Sequence, residues 1–188
     1  MNISNQLTAL RIILAFVCIG FILWNTFGSL LIAFLVFIVA SVTDFLDGFF
    51  ARRHNLVTDL GKILDPIADK ILIICVFLAF LELDMVNAWI VSAIILRELI
   101  LTSVRLFSLN KGVVLEARFL GKQKTVSQIA GIIVIFLALL LYKRAPANPA
   151  VLFLHDKFVP AMMWYVLVIT VVSGLHYLWQ NRKVIKTF

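Results

Sequence analysis

Six apolar stretches run along this chain, each about as long as a bilayer is thick, with short polar breaks between them. They extend from about Leu7 to Trp24, Ser29 to Phe50, Gly61 to Leu81, Val86 to Leu109, Gly121 to Tyr142 and Phe158 to Trp179. A helix needs ~20 such residues to cross hydrocarbon, so the pattern predicts a bundle of six transmembrane helices. The breaks carry turn chemistry: NTFG after the first stretch, NKG at Asn110 to Gly112 after the fourth, KRAPANPA after the fifth. With no low-complexity tract, soluble extension or clear repeat, residues 1–188 read as one domain. The first stretch has little positive charge before it and no clear small-residue cleavage site, so it reads as an uncleaved span.

Composition supports the membrane assignment. Hydrophobic residues make up 63% and charged residues 14% of the 188, against about 25% charged in a soluble domain. So few charges cannot cover a water-soluble globule. The net charge of +7 lies in basic residues between the apolar stretches, a pattern that suits anionic lipid head groups and excludes a nucleic-acid-reading face. Of the 17 Lys and Arg, only Lys143, Arg144 and Lys157 fall between the fifth and sixth stretches; the other 14 lie on or near the opposite side. An even number of spans with both termini on the basic side satisfies the positive-inside rule. KRAPANPA is a mild exception. Trp24, Trp89, Trp164 and Trp179, near span ends, suit an aromatic belt. Cys18 and Cys75 lack a CxxC partner and read as small buried hydrophobes. His54, His155 and His176 have no metal-site spacing and read as loop or interface residues.

One stretch does not fit a purely structural account. SVTDFLDGFFARRHNLVTDLGKILDPIADK, Ser41 to Lys70, places Asp44, Asp47, Asp65 and Asp69 at the edges of two apolar runs. Ionisable groups at membrane depth are costly, and are functional candidates for that reason. Asp44 and Asp47 are three apart and Asp65 and Asp69 four apart, so each helix carries one acidic face. Gly48, Ala51 and Gly61 fall one turn from an aspartate and leave room beside the carboxylates for close helix approach or for a ligand. Salt bridges to Arg52, Arg53, Lys62 and Lys70 would account for some of these acids. They leave unexplained why like charges share a face, whereas clustered hard oxygen ligands suit Mg2+, Mn2+ or Ca2+. Two cations in such a site form the clamp used in phosphoryl transfer. Pro66, inside the second acidic pair, predicts a kink or a helix restarting there. Arg97 and Glu98 open a polar spot in the fourth span, suited to helix-to-helix support around the acidic site or to substrate contact.

The order Asp44-x-x-Asp47-Gly48-x-x-Ala51-Arg52, eight residues, then Gly61-x-x-x-Asp65-x-x-x-Asp69 resembles the signature of the CDP-alcohol phosphotransferase family, with every fixed position filled. NQLTALR near the start, RELILTSVRLF at Arg97 to Phe107, and KGVVLEARFLGKQKTVSQ at Lys111 to Gln128 extend the resemblance to the bacterial branch whose acceptor is sn-glycerol-3-phosphate. Ser4 stands where relatives often have Pro, and Glu116 and Arg118 where small residues are common.

The resemblance implies an all-α integral membrane enzyme of phospholipid biosynthesis with its polar site facing the cytoplasm. It would be a multi-pass protein of the bacterial inner membrane with both termini cytoplasmic, and a homodimer. The implied reaction moves the phosphatidyl group of CDP-diacylglycerol to sn-glycerol-3-phosphate, with release of CMP. By the same resemblance Asp44, Asp47, Asp65 and Asp69 hold two divalent cations, Mg2+ or Mn2+, and Asp69 is also the general base. Asp44, Gly48, Ala51, Arg52 and Gly61 meet the cytidine diphosphate end, and Asn5, Thr8 and Arg11 line one face of the first span beside it. Arg105, Arg118, Lys122 and Lys124 are candidates for the acceptor's phosphate, which Arg grips with a planar fork and Lys with a point charge; lipid head groups and topology are the competing uses of these charges. Within the family a cardiolipin synthase is the alternative. Outside it, the alternative is an ion-coupled transporter, against which stand the clustering of the acids at one face and the lack of an internal repeat.

Overall fold

The computed structural model describes the backbone of residues 3–54, 59–110 and 119–182, and within these the side chains of 9–43, 70–108 and 123–182. Among the described residues every regular element is a helix. The six long helices are α1 (Ile3–Trp24), α2 (Phe27–His54), α3 (Asp59–Glu82), α4 (Ala88–Asn110), α5 (Phe119–Arg144) and α7 (Val159–Gln180). They fall where the hydropathy pattern puts them. A short α6 (Pro149–Phe153) and a π-helical turn (Leu154–Phe158) lead directly into α7, so that Pro149–Gln180 is a 32-residue helical run.

That last helix starts earlier than the apolar pattern places it. Asn148 caps it: its side-chain oxygen accepts from the Ala150 N–H at 2.9 Å, and Pro149 follows at the first helical position, where a missing N–H costs nothing. His155, read from sequence as a loop or interface residue, therefore sits on the π-helical turn. Its ring stacks on Tyr142 of α5 at 4.7 Å and its Nδ1 lies 2.7 Å from Asp156 Oδ1. Pro66 also behaves differently from one of its two expectations. α3 is helical from Asp59 through Pro66 to Glu82, so no helix restarts there. Membrane helices tolerate an internal proline because neighbouring groups and local adjustment satisfy the freed carbonyl.

The turns at the end of the bundle opposite the aspartates are closed locally. Between α1 and α2, Asn25 adopts a positive φ of 52°, a conformation that Asn tolerates better than most residues. Thr26 and Ser29 then cap α2 reciprocally, each backbone N–H donating to the other's hydroxyl at 2.9 and 3.2 Å. Asp84, at φ 57°, plays the same part between α3 and α4, and Asn87 Oδ1 accepts from the Trp89 N–H at 2.9 Å to start α4.

α1 packs along both α2 and α3, α7 packs along α4 and α5, and the two groups meet where α5 touches α2 and α3 and where α3 touches α4. Phe136 of α5 sits at this junction, fully buried among Phe34 and Phe37 of α2 and Phe80 of α3, with ring centroids 5.4, 6.0 and 5.0 Å away. Cys18 is buried in the same core, with its thiol 3.4 Å from the Ala33 carbonyl. Both cysteines are free, as their spacing implies. The outward surface is apolar, from Ile13 and Phe16 on α1 to Leu175 and Trp179 on α7. Trp24, Trp89, Trp164 and Trp179 are all exposed, Trp89 at 82%, in keeping with a belt at the lipid–water boundary.

Candidate active site

Asp44 and Asp47 stand in the second half of α2, and Asp65 and Asp69 in the first half of α3. Asp47 lies seven residues before the end of α2 and Asp65 six after the start of α3; Asp44 and Asp69 each lie ten from those same ends. At 1.5 Å per residue the inner pair stands about 10 Å, and the outer pair about 15 Å, along the helix axes from those ends. Only four residues separate the helices in sequence, and counted from those two helix ends the four positions fall at two matched levels. Gly48, Ala51 and Arg52 follow on α2, and Gly61 opens α3. The side chains of all these residues lie outside the described residues, as do those of Asn5 and Thr8. Arg11, on the helix that packs along both α2 and α3, is 4% exposed and engaged in the structure.

Four carboxylates within two consecutive helices are, by their chemistry, a donor set that fits hard divalent cations. Asp69 precedes Lys70, a half-buried residue that is itself engaged in the structure.

The basic candidates divide. Arg118 lies outside the described residues, and Lys122 is on α5 with its side chain outside them. Arg105 is half-buried on α4, and its Nε is buried with no hydrogen-bond partner among the described residues. Lys124 is buried and paired: its Nζ donates to Glu98 Oε1 of α4. The same oxygen accepts from Arg97 Nη1 at 3.0 Å. Arg97 Nη2 reaches α7, donating to Ser173 Oγ at 3.1 Å, and Ser173 Oγ donates to the Thr170 carbonyl at 2.9 Å. Arg97 and Glu98 thus give the helix-to-helix support that their position in the fourth span suggests, joining α4, α5 and α7.

Gly174 makes room for this arrangement. A Cβ there would lie 3.0 Å from Arg97 Cγ and 3.3 Å from its Nε, so a side chain at this position would crowd the arginine stem. Ser173, Gly174, Thr170 and the fully buried Gln128 of α5 are not singled out by sequence reasoning. A signal was present: Thr170, Ser173, Gly174 and Tyr177 follow i, i+3, i+4, i+7 spacing, a small and polar stripe on an otherwise apolar helix. The Gln128 amide and the Thr170 hydroxyl are buried with no partner among the described residues. Other hydroxyls of the region are satisfied locally, Thr102 by the Glu98 carbonyl at 2.6 Å and Ser127 by the Lys124 carbonyl at 2.8 Å.

Comparison with known proteins identifies the family. Residues 1–175 match the model of the CDP-alcohol phosphatidyltransferase family. The chain belongs to that family. It is 38% identical over 153 residues to a Bacillus subtilis (strain 168) protein, covering 81% of this chain and 75% of that one. With a protein of Rickettsia felis it shares 33% identity over 183 residues, 97% and 96% of the two chains. A Rickettsia typhi protein is 32% identical over 176 residues, 94% of each. All three relatives are named CDP-diacylglycerol–glycerol-3-phosphate 3-phosphatidyltransferase. As a CDP-alcohol phosphatidyltransferase, the chain is an integral membrane transferase of phospholipid biosynthesis, and the transporter alternative falls away.

Proposed function

We propose that this enzyme transfers the phosphatidyl group of CDP-diacylglycerol to the primary hydroxyl of sn-glycerol-3-phosphate, forming phosphatidylglycerophosphate and releasing CMP. The matched levels of two aspartate pairs on adjoining helices carry this function, supported by the full family signature and by the name its relatives share.

Asp44, Asp47, Asp65 and Asp69 would hold two divalent cations, Mg2+ or Mn2+. Bound there, such cations neutralise the pyrophosphate and its developing negative charge. The side chains supply the rest. Asp69 accepts the proton of the acceptor hydroxyl. The hydroxyl oxygen attacks the lipid-linked phosphorus in line, forming one P–O bond as the bond to CMP breaks. Gly48, Ala51 and Gly61 leave space for the cytidine diphosphate end beside Asp44 and Arg52. Arg105, Arg118, Lys122 and Lys124 take the acceptor's unreacted phosphate, and this charge favours glycerol phosphate over inositol, serine or the two-tailed acceptor of a cardiolipin synthase.

The bias of basic residues toward one side of the spans supports a topology with the site and both termini on the cytoplasmic side of a bacterial inner membrane. The broad apolar surface is compatible with a homodimer formed through lipid-facing spans. The purified protein, given CDP-diacylglycerol, glycerol phosphate and Mg2+ or Mn2+, should release CMP in step with phosphatidylglycerophosphate, and chelation should stop it. With phosphatidylglycerol competing in the same assay, cardiolipin as the main product would overturn the acceptor assignment.

A further inference from the structure

Glu98 is the one acid buried in the bundle among the described residues; Glu82, Asp84 and Asp156 are exposed. It is 4% exposed, and a single oxygen of its carboxylate serves both Arg97 and Lys124. Arg105 lies close enough to Arg97 for their charges to oppose each other, and Lys70 close enough to Glu98 to act on it. Arg97 and Lys124 therefore share one carboxylate, and the buried Arg105 Nε has no partner among the described residues. A simple ionic staple between helices would be expected to balance, because a cation left over in a low-dielectric interior is costly. Among the described residues, the buried Arg105 Nε and the remaining Lys124 hydrogens are left to meet an anion.

The direction of the surplus is also legible. Arg105 is eight residues along α4 from Arg97, about 12 Å nearer the aspartate end. Lys124 comes from the first turns of α5, at that same end. Its ammonium has three hydrogens, of which Glu98 takes one. A lysine otherwise free to rotate about four bonds is fixed by this contact.

We infer that Glu98 is a positioning residue for the acceptor's phosphate: it anchors Lys124 and Arg97 in the α4–α5–α7 seam so that Lys124 and Arg105 together meet a phosphomonoester. This rests on the proposal that the acceptor is a phosphorylated alcohol. Glu98 touches no substrate itself and acts through Lys124.

The test uses Glu98→Gln, Glu98→Asp, Lys124→Gln and the double variant Glu98→Gln/Lys124→Gln in the full-length protein. Glu98→Gln should raise the KM for glycerol phosphate roughly ten- to a hundredfold, the weight of a misplaced charge-assisted hydrogen bond, while the KM for CDP-diacylglycerol changes less than about twofold. Glu98→Asp should recover part of the loss. The double variant should be no worse than Lys124→Gln alone, as two residues acting through one group are not additive. Equal rises in both KM values, or a lowered Tm with unchanged kinetics, would reduce Glu98 to a staple and overturn the inference. A double variant far worse than Lys124→Gln would do the same. Thermal stabilisation by inorganic phosphate gives a readout independent of turnover. It should be present in the unaltered protein and weakened in Glu98→Asp, even if glycerol phosphate proves not to be the acceptor. Equal stabilisation of both proteins, or of neither, would also overturn the inference.

Discussion

The two ends of the bundle solve the same packing problem with opposite chemistry. At the end away from the aspartates, Phe34, Phe37, Phe80 and Phe136 interlock across α2, α3 and α5, and the turns are closed by their own Asn, Thr and Ser side chains. Toward the aspartate end the contacts between helices become ionic: Arg97, Glu98 and Lys124 take over from the phenylalanines, with Ser173 and Thr170 behind them. In lipid, apolar side chains gain little by leaving one hydrocarbon environment for another, so the phenylalanines contribute through tight contact. Charges at the same depth are costly to bury and need a use that repays them. The aromatic end holds the molecule together; the ionic end is where the chemistry is proposed to occur.

Substitutions in the two regions should therefore fail in different ways. The largest effect is expected from Asp69→Asn, which should lower turnover by about two to four orders of magnitude, the weight of a general base. The Tm should stay nearly unchanged, as CMP-release kinetics and thermal denaturation in detergent would show; retained activity would remove Asp69 as the base. Phe136→Ala should do the reverse. Emptying a site ringed by three phenylalanines should cost about 3 kcal/mol of stability, read as a lower Tm, with both KM values intact below the transition.

Gly174→Ala sharpens the boundary between the regions. Its new methyl would meet Arg97 Cγ at 3.0 Å, and overpacking of this kind costs about 1–3 kcal/mol. If Arg97 shifts to relieve the clash, the KM for the acceptor should rise several-fold. Gly131→Ala is the control, because its methyl would meet Met163 and Val166 at 3.4 Å, an ordinary contact; it should leave kinetics unaltered. The smallest effect is expected from Trp89→Ala. This residue is 82% exposed, and its loss should change the stability by no more than an exposed substitution does, about 0.5 kcal/mol, read as a nearly unchanged Tm.

Much of this was legible along the chain because membrane helices announce themselves locally. The ends of α1 at Trp24 and of α5 near Tyr142 follow from apolar length and the polar residues that stop it. The aspartate spacing is a property of two short segments, so helix periodicity alone places each pair on one face. Residues whose meaning depends on distant partners were not legible. Lys124, in GKQKTVSQ, reads as one more basic residue near a span end; its burial depends on Glu98, 26 positions away. Arg97 depends on Ser173, 76 positions away, and on the absence of a side chain at Gly174. Pro149 and His155 were misplaced for a related reason: polar and proline-rich composition suggested a break where Asn148 and the Tyr142 stack support helix.

By itself the sequence determined the number of spans, the acidic signature, the family and the small residues beside the carboxylates. Each of these depends on residues within a few turns of one another, over which periodicity and hydropathy act directly. Only the tertiary structure decided that α2 and α3 both lie along α1, that Phe136 joins the two helix groups, and that one buried carboxylate holds two cations from two helices. These are pairings between distant segments, selected by shape and by the cost of leaving a charge alone in a low-dielectric interior, and no local pattern encodes them.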